Sequence, residues 1–180
     1  MQENKLHKEV PGIEWFYDVV KNCDELIEYL RLQNWSKPQN VKPEDRSNSV
    51  IYFLDKNKHN TIFTLIDSIK NTQVKQYESK YFIPPLTYSS VEALMYSNGE
   101  HYVPHHDNGA KHVSNRICSM VAYLNDDYSG GEIEFVLFGE KIKPPSGSIV
   151  IFPSNHPYLH AVHPVVDGVR YALNVFFHYE

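Results

Sequence analysis

The tripeptide His105-His106-Asp107 sets two imidazoles and a carboxylate side by side, and His160 follows 55 residues after His105. On an extended strand, residues i and i+2 point to the same side. His105 and Asp107 can therefore face the inside of a barrel, while His106 points away, outside the site or supporting it from behind. His160 on an opposed strand would complete two imidazoles and one carboxylate. That set covers one face of an octahedral ion and leaves the other open, as oxygen-activating iron(II) requires. Arg170 lies ten residues after His160, on what should be the next strand. There Arg170, Ala172, Asn174 and Phe176 share one face, and Val169, Tyr171, Leu173, Val175 and Phe177 share the other. The second face is continuously apolar and is expected in the packed core between sheets. The first carries a lone cation, an amide and an aromatic ring, and suits a ligand cavity. A buried guanidinium calls for an anion, and a dicarboxylate supplies one through a two-pronged hydrogen bond. Blander readings stay open at this point. A His-x-Asp tripeptide also occurs in ordinary turns, Arg170 can pair with a local Asp or Glu on a rim, and His101, His112 and His178 read as surface or structural histidines.

The rest of the composition narrows the class. Eight of the ten histidines lie between His101 and His178. With 180 residues, 42% of them apolar and 22% charged, the chain suits a single domain over 1–180 with one core. The net charge of −5, with no long run of Lys or Arg, gives no sign of a nucleic-acid or anionic-membrane partner. Two cysteines, Cys23 and Cys118, suffice neither for a disulfide framework nor for a Cys-based zinc site. The polar start has no apolar h-region, and no apolar run reaches the roughly 18 residues of a membrane helix. A soluble monomer in the reducing cytoplasm is the expectation.

The elements that must position these side chains change character along the chain. Residues 1–88 read as helical support. Asn22 with Glu25 suggests a capping box ahead of Leu26, Ile27 and Leu30 on one helical face. Ile62, Leu65, Ile66 and Ile69 repeat the pattern over 61–70. Residues 49–54 read as a strand, and the proline-bearing stretches 34–48 and 72–88 as loops and possible lids. From residue 89 the chain breaks into short β-rich runs, at 91–96, 102–105, 117–124, 132–138, 148–152, 160–165 and 170–178. Many short strands at this spacing indicate a sandwich or barrel with helices outside one sheet. The fold class is thus mainly β with flanking helices (α+β).

Several motifs then stand in order. The segment from Tyr96 to Asp107 resembles the iron-binding segment of the prolyl 4-hydroxylase-like branch of the 2-oxoglutarate/iron(II) oxygenases. Arg116, Tyr123-Leu124-Asn125, Gly130-Gly131-Glu132, the run from Pro144 through Gly147 to Phe152, and the run from His160 to Arg170-Tyr171 resemble that branch in the same order. The resemblance spans about residues 91–179. It implies a double-stranded β-helix (jelly roll), with His105, Asp107 and His160 ligating Fe(II). Arg170 and the Tyr123 hydroxyl would bind the distal carboxylate of 2-oxoglutarate, with Tyr96 a second hydroxyl near the co-substrate. Strand phase agrees for Tyr123, which shares a face with Ser119 and Val121.

The activity implied is hydroxylation of a C–H bond using O2, with release of succinate and CO2, and with ascorbate as a further candidate cofactor. Related halogenases lack the carboxylate that Asp107 supplies, so hydroxylation is the implied outcome. The implied substrate is a prolyl residue in a peptide or protein, facing Tyr102, Arg116 and Phe176. A free amino acid or other small metabolite is the alternative. A non-oxidative metal-binding barrel would not need Arg170 and Tyr123 to converge, and a silent binding module would be expected to lose a ligand.

Overall fold

A computed structural model of the chain describes residues 8–39, 41–108 and 113–180. His112 and the first residues of the chain lie outside the described residues. In chain order the described elements begin with β1 (Glu14–Phe16), α1 (Cys23–Arg31), β2 (Ser49–Phe53) and α2 (Asn60–Ile69). A π-helical turn, Lys70–Val74, leads into α3 (Lys75–Tyr81). Then come β3 (Leu86–Thr87), β4 (Val91–Tyr96), β5 (Tyr102–His105), β6 (Cys118–Tyr123), β7 (Ser129–Gly130), β8 (Ile133–Phe135) and β9 (Glu140–Ile142). The last four are β10 (Ile149–Pro153), β11 (His160–Val162), β12 (Val165–Asp167) and β13 (Arg170–Tyr179).

All the strands but β7 and β12, which pair with each other, form two facing layers, as in a double-stranded β-helix. The larger sheet runs β1-β10-β6-β13-β4-β2, with β3 also on β13, and the smaller runs β5-β11-β8-β9. The layers do not close into the barrel that the His-x-Asp reading invoked. Three strands of the larger sheet come from residues 1–88: β2, where a strand was expected, and β1 and β3, where none was.

Two apolar clusters account for the architecture. One joins Leu26, Ile27 and Leu30 of α1 and Ile62, Phe63 and Ile66 of α2 to Tyr171, Leu173, Val175 and Phe177 of β13. The other, between the sheets, joins Val121, Tyr123 and Ala172 to Ile133, Phe135 and Phe152. This corrects the expected destination of the apolar face of β13, which packs under the helices rather than between the sheets. Alternation separates the two faces of a strand, but only the layer order says what covers each.

Two further expectations change. The stretch 72–88 is helical through Tyr81, because Val74 and Tyr77 are buried at 0% and 2% exposure. Two anchors are too few to show a period, and the prolines fall only after the helix has ended. Asn22 precedes α1 without any side-chain cap; its backbone carbonyl takes the Leu26 N–H instead. Among the described residues no helix is long and apolar enough to cross a membrane.

Candidate active site

The smaller sheet brings the two histidines together by register. His160 of β11 stands directly opposite His105 of β5, and their ring centroids are 4.3 Å apart. Asp107 lies just beyond the end of β5, outside the strand on which alternation had placed it. It is oriented from the larger sheet: Ser119 donates its hydroxyl to Asp107 Oδ2 and is itself paired with the Ser154 hydroxyl at 2.8 Å.

The donor atoms of this trio all lie within 4.8 Å of one another, a group able to hold a metal ion. The ring nitrogens are already sorted. His105 Nδ1 donates to the Val103 carbonyl at 2.8 Å, and His160 Nδ1 donates to the Tyr158 carbonyl at 3.1 Å. Each Nε2 therefore carries the free lone pair. These Nε2 atoms lie 3.5 and 3.6 Å from the Asp107 carboxylate oxygens, too far for a good hydrogen bond. Burial drives the His160 pKa down to about 4, which keeps its imidazole neutral and able to ligate. Burial opposes ionisation of Asp107, but His160, His105 and Ser119 outweigh it and hold the carboxyl well below its usual range. The trio fits a divalent ion of intermediate hardness. His106 is not part of it; its ring turns toward His156, 6.1 Å away.

About 390 Å³ of cavity opens over this trio, between the two sheets. Arg170 and Tyr96 line one end. Arg170 is only 1% exposed, and its Nε and Nη1 have no hydrogen-bond partner. Its guanidinium lies 4.9 Å from the ring centre of Tyr96, its cross-strand neighbour, and 5.1 Å from that of Tyr123. The buried hydroxyls of Tyr123 and Tyr128 also lack partners, and both tyrosines border Arg170. Burial pushes all three tyrosines above the ordinary phenol pKa, so their hydroxyls stay protonated. Burial disfavours the charge on Arg170, but the three tyrosines raise its pKa. Unpaired donors around a buried cation suit a carboxylate.

Tyr128 escaped the sequence reading because it lies beyond the end of β6, among turn residues where alternation says nothing. Lys143 holds it, with its ammonium 4.8 Å from the ring centre and bonded to the Tyr128 carbonyl. Gly131, at φ +64°, leaves it room; a Cβ there would come within 3.0 Å of the Tyr128 ring. An aromatic residue just before Gly130-Gly131 was the available signal.

The side chains expected to face substrate also line the cavity. Tyr102 stacks on the His105 ring with centroids 3.5 Å apart. Arg116 lies 3.3 Å from the ring centre of Phe176 and donates to the Asp107 carbonyl at 3.1 Å. Arg116 precedes β6. The sequence reading also missed a polar group at this end. Glu92 of β4 stands opposite Asn174 of β13, and Arg46 approaches Glu92 Oε2 at 3.5 Å. Strand phase could have found Glu92, because it shares a face with Tyr96.

Residues 91–178 match the family model described as the 2OG-Fe(II) oxygenase superfamily. That span is 88 of the 180 residues, a 2OG-Fe(II) oxygenase domain match over nearly half of the chain. It is 35% identical to a PKHD-type hydroxylase of Prochlorococcus marinus (strain NATL2A) over 71% of this chain and 57% of that protein. The chain spans about half the length of the curated relatives it matches. The viral collagen prolyl hydroxylase of Paramecium bursaria Chlorella virus-1, solved as its 2OG complex, superposes with a TM-score of 0.73. The identity is 21%, over 94% of this chain and 97% of that one. The prolyl hydroxylase of Trichoplax adhaerens, solved with a hypoxia inducible factor peptide fragment, gives a TM-score of 0.76. Its identity is 16%, over 93% of this chain and 83% of that one. At these identities the two structures establish the shared fold.

Proposed function

We propose that the chain is an Fe(II)- and 2-oxoglutarate-dependent dioxygenase that hydroxylates a C–H bond of a prolyl residue in a peptide or protein. One observation carries the reading. The His105–Asp107–His160 trio and Arg170, whose Nε and Nη1 have no hydrogen-bond partner, line one cavity between the sheets, and the buried hydroxyls of Tyr123 and Tyr128 stand behind them beside Arg170. One cavity can thus take a divalent ion and a carboxylate at once.

Iron(II) bound by His105, Asp107 and His160 would supply the activation of dioxygen that no side chain performs. The protein's own work is placement. Asp107 stays ionised and is aimed by Ser119. His105 and His160 are held in the tautomer that offers Nε2. Arg170 takes the distal carboxylate of 2-oxoglutarate through Nε and Nη1, and the Tyr123 and Tyr128 hydroxyls donate to its free lone pairs. Tyr96 supports the Arg170 guanidinium from below. Tyr102, Arg116 and Phe176 frame the prolyl ring, and a bound substrate would displace water from the reacting C–H bond. Across the turnover the co-substrate loses CO2 and becomes succinate. One oxygen atom of O2 enters the new carboxylate and the other enters the hydroxyl.

The prolyl reading is supported by the prolyl hydroxylase names among the relatives and by the aromatic and guanidinium frame. Buried free thiols at Cys23 and Cys118 suit the cytoplasm, and ascorbate would serve as accessory reductant. The test is succinate formation from 2-oxoglutarate with added Fe(II), joined to an intact-mass screen for +16 Da on proline-containing peptides. Succinate together with the mass gain is the expected result. Absence of succinate under all conditions refutes the oxygenase reading. Succinate release stimulated only by a free amino acid refutes the peptide reading.

A further inference from the structure

The cavity has a second polar end that the co-substrate does not use. Glu92 is 6% exposed and Asn174 8% exposed. Glu92 Oε2 and Asn174 Oδ1 are both buried and both without a hydrogen-bond partner. They belong to directly paired residues of β4 and β13, and both line the cavity over the metal trio. Arg170 pairs with Tyr96 in the same two strands, four residues further along. At ~3.3 Å per residue the two polar ends are therefore ~13 Å apart along one sheet face. The Arg170 end leaves donors without hydrogen-bond partners, and the other end leaves two acceptors without hydrogen-bond partners, beside the Arg46 and Arg116 guanidinium groups.

Buried acceptors left unpaired are costly and rare, so this pair points to a ligand that donates. The nearest cation does not fill the role. Arg46 Nη2 lies 3.5 Å from Glu92 Oε2, beyond a good hydrogen bond. Arg46 is held elsewhere: its Nε donates to Asn48 Oδ1 at 2.8 Å, and its guanidinium lies 4.9 Å from the ring centre of Tyr102. Arg116 is likewise engaged with the Asp107 carbonyl and the Phe176 ring.

We propose that Glu92 and Asn174 form the recognition subsite for a protonated amine on the primary substrate, placed beside the C–H bond that reacts. The proposal rests on the oxygenase reading of the cavity. Charge selects the ligand, since a carboxylate acceptor pairs about twice as strongly with an ionised donor as with a neutral one. A prolyl nitrogen within a chain has no N–H, so the amine has two sources. It is the side chain of a Lys next to the reacting prolyl residue, or the α-amine of a free amino acid.

Two matched pairs of probes separate the sources. The first is the peptide Gly-Lys-Pro-Lys-Gly and its doubly Nε-acetylated form. The second is L-proline and N-acetyl-L-proline. Binding is measured by anaerobic isothermal titration to the protein loaded with Fe(II) and 2-oxoglutarate, for the natural chain and for Glu92→Gln. In at least one pair the amine should bind about tenfold tighter or more than its acetylated partner, and Glu92→Gln should bring that ratio to within about threefold. A preference in the peptide pair assigns the amine to a neighbouring side chain, and one in the proline pair assigns it to the α-amine. Equal binding within both pairs, including none, overturns the proposal, as does a preference that survives Glu92→Gln. Thermal unfolding reports whether Glu92→Gln folds; if it does not, the comparison in the natural chain decides alone. Titration of 2-oxoglutarate into the same proteins loaded with Fe(II) alone tests the oxygenase reading separately.

Discussion

Removing the Arg170 guanidinium is the sharpest test of the carboxylate seat. Arg170 offers two partnerless nitrogens, Nε and Nη1, on a side chain that is 1% exposed. Each hydrogen bond to a charged group contributes about 1.5–3 kcal/mol. Losing two costs about 3–6 kcal/mol, and each 1.4 kcal/mol is a factor of ten. Arg170→Ala should therefore weaken 2-oxoglutarate binding by roughly a hundred- to ten-thousandfold. Arg170→Lys keeps a point charge and one bond, so its loss should stay near ten- to a hundredfold. Isothermal titration reads both directly. Thermal unfolding gives a second reading. At a hundred times its Kd, a ligand stabilises the folded state by about 2.7 kcal/mol. For a chain of this size that raises Tm by roughly 5–10 °C. The natural chain should show this rise, and Arg170→Ala at the same concentration should show almost none. If Arg170→Ala binds 2-oxoglutarate within threefold of the natural chain, the seat lies elsewhere.

The remaining expectations follow from the same geometry. His105→Ala, Asp107→Ala and His160→Ala should each abolish 2-oxoglutarate turnover, whereas His106→Ala, whose ring faces His156, should retain much of it; succinate assays decide, and the reverse pattern would place the metal one residue out of register. Tyr128→Phe removes one partnerless hydroxyl at Arg170 and should weaken 2-oxoglutarate binding about tenfold or more; unchanged affinity would mean that this hydroxyl does not face the ligand. Arg116→Ala strips the guanidinium from the Phe176 ring and the Asp107 carbonyl. It should impair peptide-coupled turnover while sparing the slow uncoupled consumption of 2-oxoglutarate, and equal loss of both would assign Arg116 to the metal centre instead.

How much of this was legible depends on whether the information is local. The histidines and Asp107 stand in short motifs, and the expected runs at 91–96, 102–105 and 170–178 fall on β4, β5 and β13. Strand phase separated Arg170 and Asn174 from Leu173 and Val175, because alternation is a property of the chain itself. It could not say which face the helices cover, because that is settled by residues more than a hundred positions away in α1 and α2. Arg46 was invisible for a similar reason. It sits in a loop and reaches the cavity through a single bridge to Tyr102. Asp107 was found by its motif, but it is oriented by Ser119, which no periodicity connects to it. The clustering of His105, Asp107 and His160 was therefore readable from sequence, while the donors and acceptors that surround them required the fold.

The division of labour between the sheets explains why the helical layer bears on chemistry. The smaller sheet supplies the two histidines by one cross-strand pair. The larger supplies Arg170, Asn174 and Phe176 from one strand, β13, which runs between β4 and β6. A one-residue slip of β13 would swing Tyr171, Val175 and Phe177 into the cavity and bury Arg170 under the helices. The slip is opposed on both sides. An unpaired guanidinium in an apolar layer costs several kcal/mol, and Leu173, Val175 and Phe177, all at 0% exposure, would lose their places against α1 and α2. The packing beneath the sheet and the polar groups above it thus enforce the same register. The spacing between the donor end and the acceptor end is held by residues that touch neither ligand.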